Sequence, residues 1–291
     1  MPAMALIDIQ GVRLEVQHIP ASQKTHAANA ALAPLVFLHE GLGSVAMWRD
    51  WPAVVCAATG RTGVVYSRRG YGQSDPVPDV RGPSRVVGGQ RAGRLLPDYL
   101  HVEAFEVLPA LLQALNIVNP VLIGHSDGGS IALLHASRFA VSACVVMAPH
   151  VMVEDISIAA ITQAKTAYET GDLRSRLARY HADVAGAFWQ WNDVWLSAQF
   201  RSFDIRAACR EITAPLLAIQ GIDDPYGSMA QIDGLASSPL DRLNGNNEML
   251  RGDQHRKLFK LEHCGHSPHR DQAQKTTASI TDFLKHTVAH A

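Results

Sequence analysis

Short apolar runs alternate with amphipathic stretches along most of the chain. PLVFLHE (residues 34–40), PVLIGHS (residues 120–126) and APLLAIQG (residues 214–221) are typical of strands buried on both faces of a parallel sheet. Helical patterns such as HVEAFEVLPALLQAL (residues 101–115) lie between such strands. The alternation predicts an α/β fold with a mostly parallel sheet covered by helices. Two strand-like segments, one on each side of Gly11, predict an antiparallel hairpin ahead of the parallel strands.

The alternation stops between residues 151 and 212, where the sequence pattern is mostly helical and no strand pattern interrupts it. Strand patterns then resume at APLLAIQG. A helical insertion between two strands predicts a cap over the carboxyl edge of the sheet. We therefore assign residues 1–150 and 213–291 to a core domain and residues 151–212 to a helical cap. Residues 77–100 are rich in Gly, Pro and Arg and predict a loop.

Composition narrows the function classes. The chain has 291 residues, 47% of them hydrophobic, which is ample for one large core, and its net charge of −1 gives no attraction to nucleic acid or anionic membranes. No apolar run approaches the ~20 residues of a membrane span. Asp8 and Arg13 argue against a secretion signal. Scattered cysteines without a C-x-x-C pair predict reduced thiols and a cytoplasmic protein: Cys56, Cys144, Cys209 and Cys264.

The segment GHSDGG (residues 124–129) stands where a predicted buried strand turns into a predicted helix. A serine hydroxyl is a poor nucleophile until a base removes its proton. A sharp strand-to-helix turn holds Ser126 out of the sheet edge and aims the helix N-terminus at a developing oxyanion. Such a turn needs small residues two before and two after the serine, which Gly124 and Gly128 supply. This context favours a nucleophile over an ordinary Ser/Gly turn.

An acid and a histidine follow the next two predicted strands. Asp223 and Asp224 come after APLLAIQG, whereas His263, His266 and His269 come at the end of RKLFKLEH and just after it. Loops at the carboxyl ends of parallel strands meet at one sheet edge, and the order Ser, acid, His suits a nucleophile elbow. The H-x-x-H-x-x-H spacing also leaves a zinc site open as an alternative.

Together these motifs resemble the α/β-hydrolase fold superfamily, as a serine hydrolase with a helical cap, over nearly the whole chain outside the cap. The resemblance implies an eight-stranded, mostly parallel sheet with helices on both faces. It places the acid three residues after the strand-ending Gly221, which selects Asp224, with Asp223 as the alternative. It places the histidine after a glycine, which selects His266. We expect neither a metal nor a cofactor.

The resemblance also points to an oxyanion hole. In the loop HEGLGS (residues 39–44), Gly41 takes the donor position, so the backbone amides of Gly41 and Asp127 are the candidates. Glu40 stands where the family commonly has glycine, and its carboxylate is a candidate contact to substrate or to the loop. SRRGYGQSD resembles the family segment Asp-x-Arg-Gly-x-Gly-x-Ser, with Ser67 in place of the aspartate, and we assign it a structural role.

A serine nucleophile predicts an acyl-enzyme, because the dehalogenases and epoxide hydrolases of this fold need a carboxylate nucleophile. In the cap, Phe188, Trp191 and Trp195 share one helical face. Aromatic side chains of the cap suit an apolar or aromatic acyl group, so the candidate contacts are Trp189, Trp191 and Trp195, with packing inside the cap as the alternative.

We favour hydrolysis of a small-molecule carboxylic ester or thioester. One alternative is a C–C bond hydrolase of a ring-cleavage product, although such enzymes more often carry Gly-Pro in the oxyanion loop. Another is a non-catalytic ligand receptor on the same scaffold. If the arginines of residues 77–100 face the site, they can hold a carboxylate or coenzyme A phosphates. The sequence leaves the oligomeric state open, a homo-oligomer included.

Overall fold

A computed structural model describes residues 3–21, 32–236 and 255–287. Its strands are β1 (Ala3–Ile9), β2 (Val12–Ile19), β3 (Leu35–Leu38), β4 (Gly63–Tyr66), β5 (Arg85–Val87), β6 (Gln90–Ala92), β7 (Val121–His125), β8 (Ala143–Met147), β9 (Leu216–Gly221) and β10 (Arg256–Leu261). Eight of them form one sheet in the order β1-β2-β4-β3-β7-β8-β9-β10. From β4 to β10 every neighbouring pair in this sheet is parallel, while β1–β2 and β2–β4 are antiparallel. The mostly parallel eight-stranded sheet and the N-terminal hairpin are confirmed.

The described helices follow the predicted alternation. They are α1 (Trp51–Thr59), α2 (Tyr99–Val102), α3 (Leu108–Ala114), α4 (Asp127–Ala136), α5 (Asp155–Thr170), α6 (Leu173–Leu177), α7 (Val184–Trp195), α8 (Arg206–Cys209), α9 (Ala230–Asp233), α10 (Pro268–Asp271) and α11 (Ala273–Thr287). Among the described residues, no helix is long and apolar enough to cross a membrane.

Helices cover both faces of the sheet, as predicted. Successive side chains of β3 point to opposite sides, so Val36 packs with α4 while Phe37 packs with α1 and α11. All four β3 residues are buried. Two-sided burial is why the central strands read as continuous apolar runs.

Between β8 and β9 the chain forms the helices α5 to α8 and, apart from one isolated bridge, no strand in the residues that the structure describes. The bridge pairs Met152 with Asp204, so the two ends of this helical segment lie side by side. Midway along it, the ring of His181 accepts a hydrogen bond from the Gly72 amide and donates one to the Leu42 carbonyl, each at 3.0 Å. The helical segment is thus fixed to two loops of the sheet.

Two local features differ from the predicted pattern. Residues 77–100 contain the antiparallel pair β5–β6, which reverses at Gly88 and Gly89, both with positive φ. The predicted helix of residues 101–115 contains a π-helical turn, Glu103–Val107, just before Pro109. Proline has no amide hydrogen for the helical ladder, and a π-turn is a common accommodation of a break in that ladder.

Candidate active site

Ser126, Asp224 and His266 come together at the carboxyl edge of the sheet. The histidine Nε2 lies 2.9 Å from the serine Oγ, and its Nδ1 lies 2.9 Å from both carboxylate oxygens of Asp224. These residues follow β7, β9 and β10, so one sheet edge gathers side chains that are far apart in sequence. The contacts form a continuous hydrogen-bonded chain from hydroxyl to carboxylate.

Ser126 sits on a strained turn between β7 and α4. Its φ of 53° is in the left-handed region that non-glycine residues rarely adopt. A Cβ on Gly124 would run into the carbonyl of Gly128, and one on Gly128 would run into the carbonyl of Leu38. The close approach of these backbones explains why the turn requires glycine on each side of the serine.

Asp224 is the acid that contacts the imidazole, and it is almost fully buried. It also accepts hydrogen bonds from the Tyr226 amide and the Gln220 side chain, each at 2.8 Å. Although burial favours the protonated acid, the hydrogen bonds from His266 and Tyr226 hold the pKa of Asp224 below its ordinary value. Asp223 is exposed instead, and its amide donates to the Cys264 carbonyl.

The three histidines of the H-x-x-H-x-x-H spacing separate in space. His263 is exposed, whereas the ring of His269 packs 4.9 Å from Trp48 and 5.3 Å from Trp51. Within the described ranges, no cluster of three or more His, Cys, Asp or Glu side chains could hold a metal ion. His266 therefore contacts Asp224 and Ser126 rather than its neighbouring histidines.

The orientation of the Glu40–Gly41 peptide bears on the predicted oxyanion hole. Three donors hold the Glu40 carbonyl: the Gly43 amide at 3.0 Å, His39 Nδ1 at 2.7 Å and Arg68 Nη2 at 2.9 Å. In a trans peptide the N–H points away from the C=O. The Gly41 amide therefore points to the opposite side, and Gly41 lines the cavity at Ser126 together with Asp127.

A cavity of about 220 Å³ opens over Ser126 and His266. Trp191 and Trp195 line it from α7, and a Cβ on Gly41 would collide with the Trp191 indole, so this ring lies directly on the oxyanion loop. The further lining residues are Glu40, Leu42, His125, Asp127, His150, Ile161, Tyr226 and Ser267.

Trp189 is a correction to the predicted substrate contacts. It does not line the cavity, and the Arg81 guanidinium lies 3.9 Å from its ring centroid instead. Two residues along a helix correspond to a rotation of about 200°, so Trp189 and Trp191 point to nearly opposite sides of α7. Phe188 stacks on Tyr168 of α5 at 3.8 Å, inside the helical segment.

The sequence matches one known protein family. A model of the alpha/beta hydrolase family matches residues 35–279. The chain belongs to this family. A search of curated protein sequences finds no match.

Solved structures share the fold of this alpha/beta hydrolase at low identity. A membrane phospholipase A, described as a bacterial virulence factor, is 16% identical with a TM-score of 0.71, covering 100% of this chain and 87% of that one. The enol-lactonase from Burkholderia xenovorans is 18% identical with a TM-score of 0.66, covering 96% and 99%. The proline iminopeptidase from Mycobacterium smegmatis is 17% identical with a TM-score of 0.64, covering 99% and 99%. These likenesses show the fold, and the three names cover different reactions.

The side chain of Asp127 anchors the first turn of α4 in this hydrolase. Its carboxylate accepts hydrogen bonds from the Tyr99 hydroxyl at 2.7 Å and from the Trp195 indole at 3.3 Å, and Arg68 Nη1 lies 3.6 Å away. Burial raises the pKa of Asp127, although Arg68 and both hydrogen bonds favour the carboxylate. The contacts join the residue after Ser126 to the helical segment.

Sequence reasoning missed several residues at the site. Arg68 was assigned a purely structural role, and Tyr99 fell at the end of a predicted loop; nothing local indicates that either approaches Asp127. His150 and Tyr226 come three and five residues after the ends of β8 and β9, so their position at the carboxyl edge is a usable signal. Burial, together with the charge of His266, lowers the pKa of His150 to about 3, so this ring is neutral.

Proposed function

We propose that this hydrolase cleaves a carboxylic ester or thioester through an acyl-enzyme, with Ser126 as nucleophile, His266 as base and Asp224 as the orienting acid. The observation that carries the proposal is the hydrogen-bonded chain of 2.9 Å contacts from Ser126 Oγ to the Asp224 carboxylate. Ser126, at one end of this chain of contacts, lines a cavity large enough for a small acyl group. Nucleophile, base and orienting acid are thereby within direct hydrogen-bond reach.

The reaction follows from the positions of these atoms. Ser126 Oγ attacks the carbonyl carbon while its proton passes to His266 Nε2, and Asp224 stabilises the resulting imidazolium. The amides of Gly41 and Asp127 donate to the oxyanion of the tetrahedral intermediate. His266 then protonates the departing alkoxide or thiolate. Water, activated by the same histidine, attacks the acyl-enzyme and releases the acid.

The walls of the cavity support an uncharged acyl group. Among the described residues, neither Lys nor Arg lines it, and Ile161, Trp191 and Trp195 supply an apolar and aromatic surface. All three come from the helical segment, which we propose acts as the cap over the site. Oxidative cleavage of an aromatic ring leaves a carboxylate, and the described lining of this cavity offers neither Lys nor Arg to bind one. This favours an ester or thioester over the C–C bond of a ring-cleavage product.

The arginines of residues 77–100 are engaged elsewhere. Arg81 pairs with Asp193 at 3.0 Å, and Arg85 pairs with Asp79 at 2.9 Å. Arg91 binds the Asp98 carboxylate. Arg94 donates to main-chain carbonyls. These contacts support a role in holding the loop, and they favour a simple ester over a coenzyme A thioester.

The test is a panel of p-nitrophenyl esters and acyl-CoA thioesters, with acyl groups from acetyl to benzoyl and to long chains. We expect sustained turnover of esters whose acyl group is small and apolar or aromatic, and little turnover of long-chain or carboxylate-bearing substrates. A protein that binds these compounds without repeated turnover would instead fit a receptor on a hydrolase scaffold.

The pH profile provides a second test. A histidine base must be neutral to take the proton of Ser126, so kcat/KM should rise with pH within the range where histidines titrate, about pH 5 to 8, and then level off. Because the pKa of Asp224 is lowered, its carboxylate stays charged throughout this range. His150, with a pKa of about 3, cannot cause the limb. Initial rates from pH 5 to 9 measure it, and a flat profile would rule out a histidine base.

A further inference from the structure

Glu40 and His125 both line the cavity and form a contact that acyl transfer itself does not use. Glu40 Oε2 lies 3.5 Å from His125 Nδ1, and Glu40 Oε1 lies 3.4 Å from Arg270 Nη2. The side chain of His125 is 1% exposed and that of Glu40 is 15% exposed. An acidic side chain this deeply placed, where the family commonly has glycine, needs a physical reason.

Hydrogen-bond geometry assigns the protons of His125. Its Nε2 lies 2.7 Å from the carbonyl oxygen of His266, and a carbonyl can only accept, so Nε2 carries a hydrogen. Its Nδ1 is fully buried and makes no hydrogen bond in the described part of the chain. That nitrogen faces the Glu40 carboxylate, where a bare lone pair would be repelled. A proton on Nδ1 turns the contact into an ion pair.

Glu40 is able to carry the matching negative charge. Burial opposes ionisation, but the contact with His125 and the positive charge of Arg270 hold the pKa of Glu40 well below its ordinary value. The carboxylate thus has the His125 ring on one side and the Arg270 guanidinium on the other. A buried charge with good partners persists, whereas a lone one would neutralise.

We propose that Glu40 and doubly protonated His125 form a buried ion pair. The pair positions the base, because His125 Nε2 donates a hydrogen bond to the main-chain carbonyl of His266. This inference rests on the proposed function, in which His266 is the base. Glu40 lies on the oxyanion loop, His125 immediately precedes Ser126, and His266 lies on the loop after β10. One chain of contacts therefore sets the spacing of the loops that carry the oxyanion donor, the nucleophile and the base.

The pair also sets the charge around the base. Within the described residues, the pair interacts with these titratable and charged groups: His150, His266 and His269 beside His125, and His39, His181 and Arg270 beside Glu40. The rings of His125 and His266 are 5.2 Å apart, so a cationic His125 opposes protonation of His266. Burial and the charge of His125 lower the pKa of His269 well below its ordinary value, so that ring stays neutral.

The first experiment detects the ion pair without turnover. The full-length protein is labelled with ¹⁵N-histidine, His125→Gln assigns the signals of that ring, and the ring nitrogen shifts are recorded at neutral pH. We expect both nitrogens of His125 to be protonated in the wild type and Nδ1 to be bare in Glu40→Gln. A bare Nδ1 in the wild type would overturn the proposal.

The second experiment measures the effect on the base. In Glu40→Gln the new amide can donate to the bare Nδ1, so we expect a folded protein by circular dichroism. We expect kcat to fall about 10- to 100-fold with little change in KM, since small displacements of reacting groups have effects of this size. The rising limb of the pH profile should move to higher pH, because the positive charge beside His266 is lost.

Two matched variants make the result specific. Glu40→Asp keeps the charge and should retain the wild-type limb. Glu262→Gln removes an exposed carboxylate four positions before His266 in the sequence and should behave as wild type. The positioning role would be overturned if Glu40→Gln left both kcat and the rising limb of the pH profile unchanged. It would also be overturned if the rising limb moved to lower pH. If the wild type hydrolyses no ester, the proposed function fails, and the ¹⁵N spectra still decide the ion pair.

Discussion

Ser126→Ala should reduce ester turnover about a million-fold, the loss commonly seen when the nucleophile of a Ser-His-Asp system is removed. The described hydrogen bond of the hydroxyl is the one with His266 Nε2, so no other side-chain contact of the serine is lost. Alanine at the same positive φ is strained no more than serine. We therefore expect unchanged thermal unfolding. Burst and steady-state kinetics with the best ester of the panel measure the loss.

Ser137→Ala is the matched control for this substitution. Ser137 follows the last turn of the same helix, α4, and within the described residues its hydroxyl donates one hydrogen bond, to the nearby Leu134 carbonyl. It should keep wild-type turnover. A fluorophosphonate probe should label the wild type and Ser137→Ala but not Ser126→Ala. Wild-type turnover in Ser126→Ala would refute the acyl-enzyme mechanism as a whole.

Asp224→Asn should lower kcat about 10⁴-fold, the effect of the same change in a well-studied Ser-His-Asp enzyme. The amide is nearly isosteric, but one of its two terminal atoms is a donor and it carries no charge. It can hold His266 in the wrong tautomer and cannot stabilise the imidazolium. Both carboxylate oxygens lie 2.9 Å from His266 Nδ1, so the substitution directly changes this contact. We expect kcat to fall more than the free energy of unfolding does.

Asp223→Asn provides a control one residue away. Its side chain is exposed and makes none of the described contacts with His266, so kcat should stay within about threefold of the wild type, as is usual for surface changes. Parallel kinetics on both variants decide between the two acids. If Asp223→Asn is the damaging change, the acid is Asp223 and the assignment of Asp224 is wrong.

The sheet was predictable because its signals are local. The central strands are buried on both faces, so each shows as a short apolar run. Gly124 is required by a backbone contact with nearby Gly128, although Gly128 itself packs on the carbonyl of the distant Leu38. Asp224 and His266 were placed by the rule that parallel strands end at one edge. A resemblance to the family then chose between Asp223 and Asp224.

Other parts of the site depend on contacts between distant segments, which no local pattern encodes. Tyr99 and Arg68 reach Asp127 across 28 and 59 positions of sequence, respectively. The choice among the tryptophans failed for Trp189 because the side of α7 that faces the cavity depends on how the helix is rotated. The partners of Glu40, His125 and Arg270, are 85 and 230 residues away.

The bridge between Met152 and Asp204 has a consequence for engineering. A segment that leaves and re-enters a scaffold at adjacent points can be exchanged for one of different length, because the distance that the replacement must span hardly changes. Residues 153–203 are therefore a natural unit for grafting. Chimaeras that carry the corresponding segment of another hydrolase, joined at these two positions, should keep the sheet and the serine chemistry while acquiring the donor's preference for acyl groups.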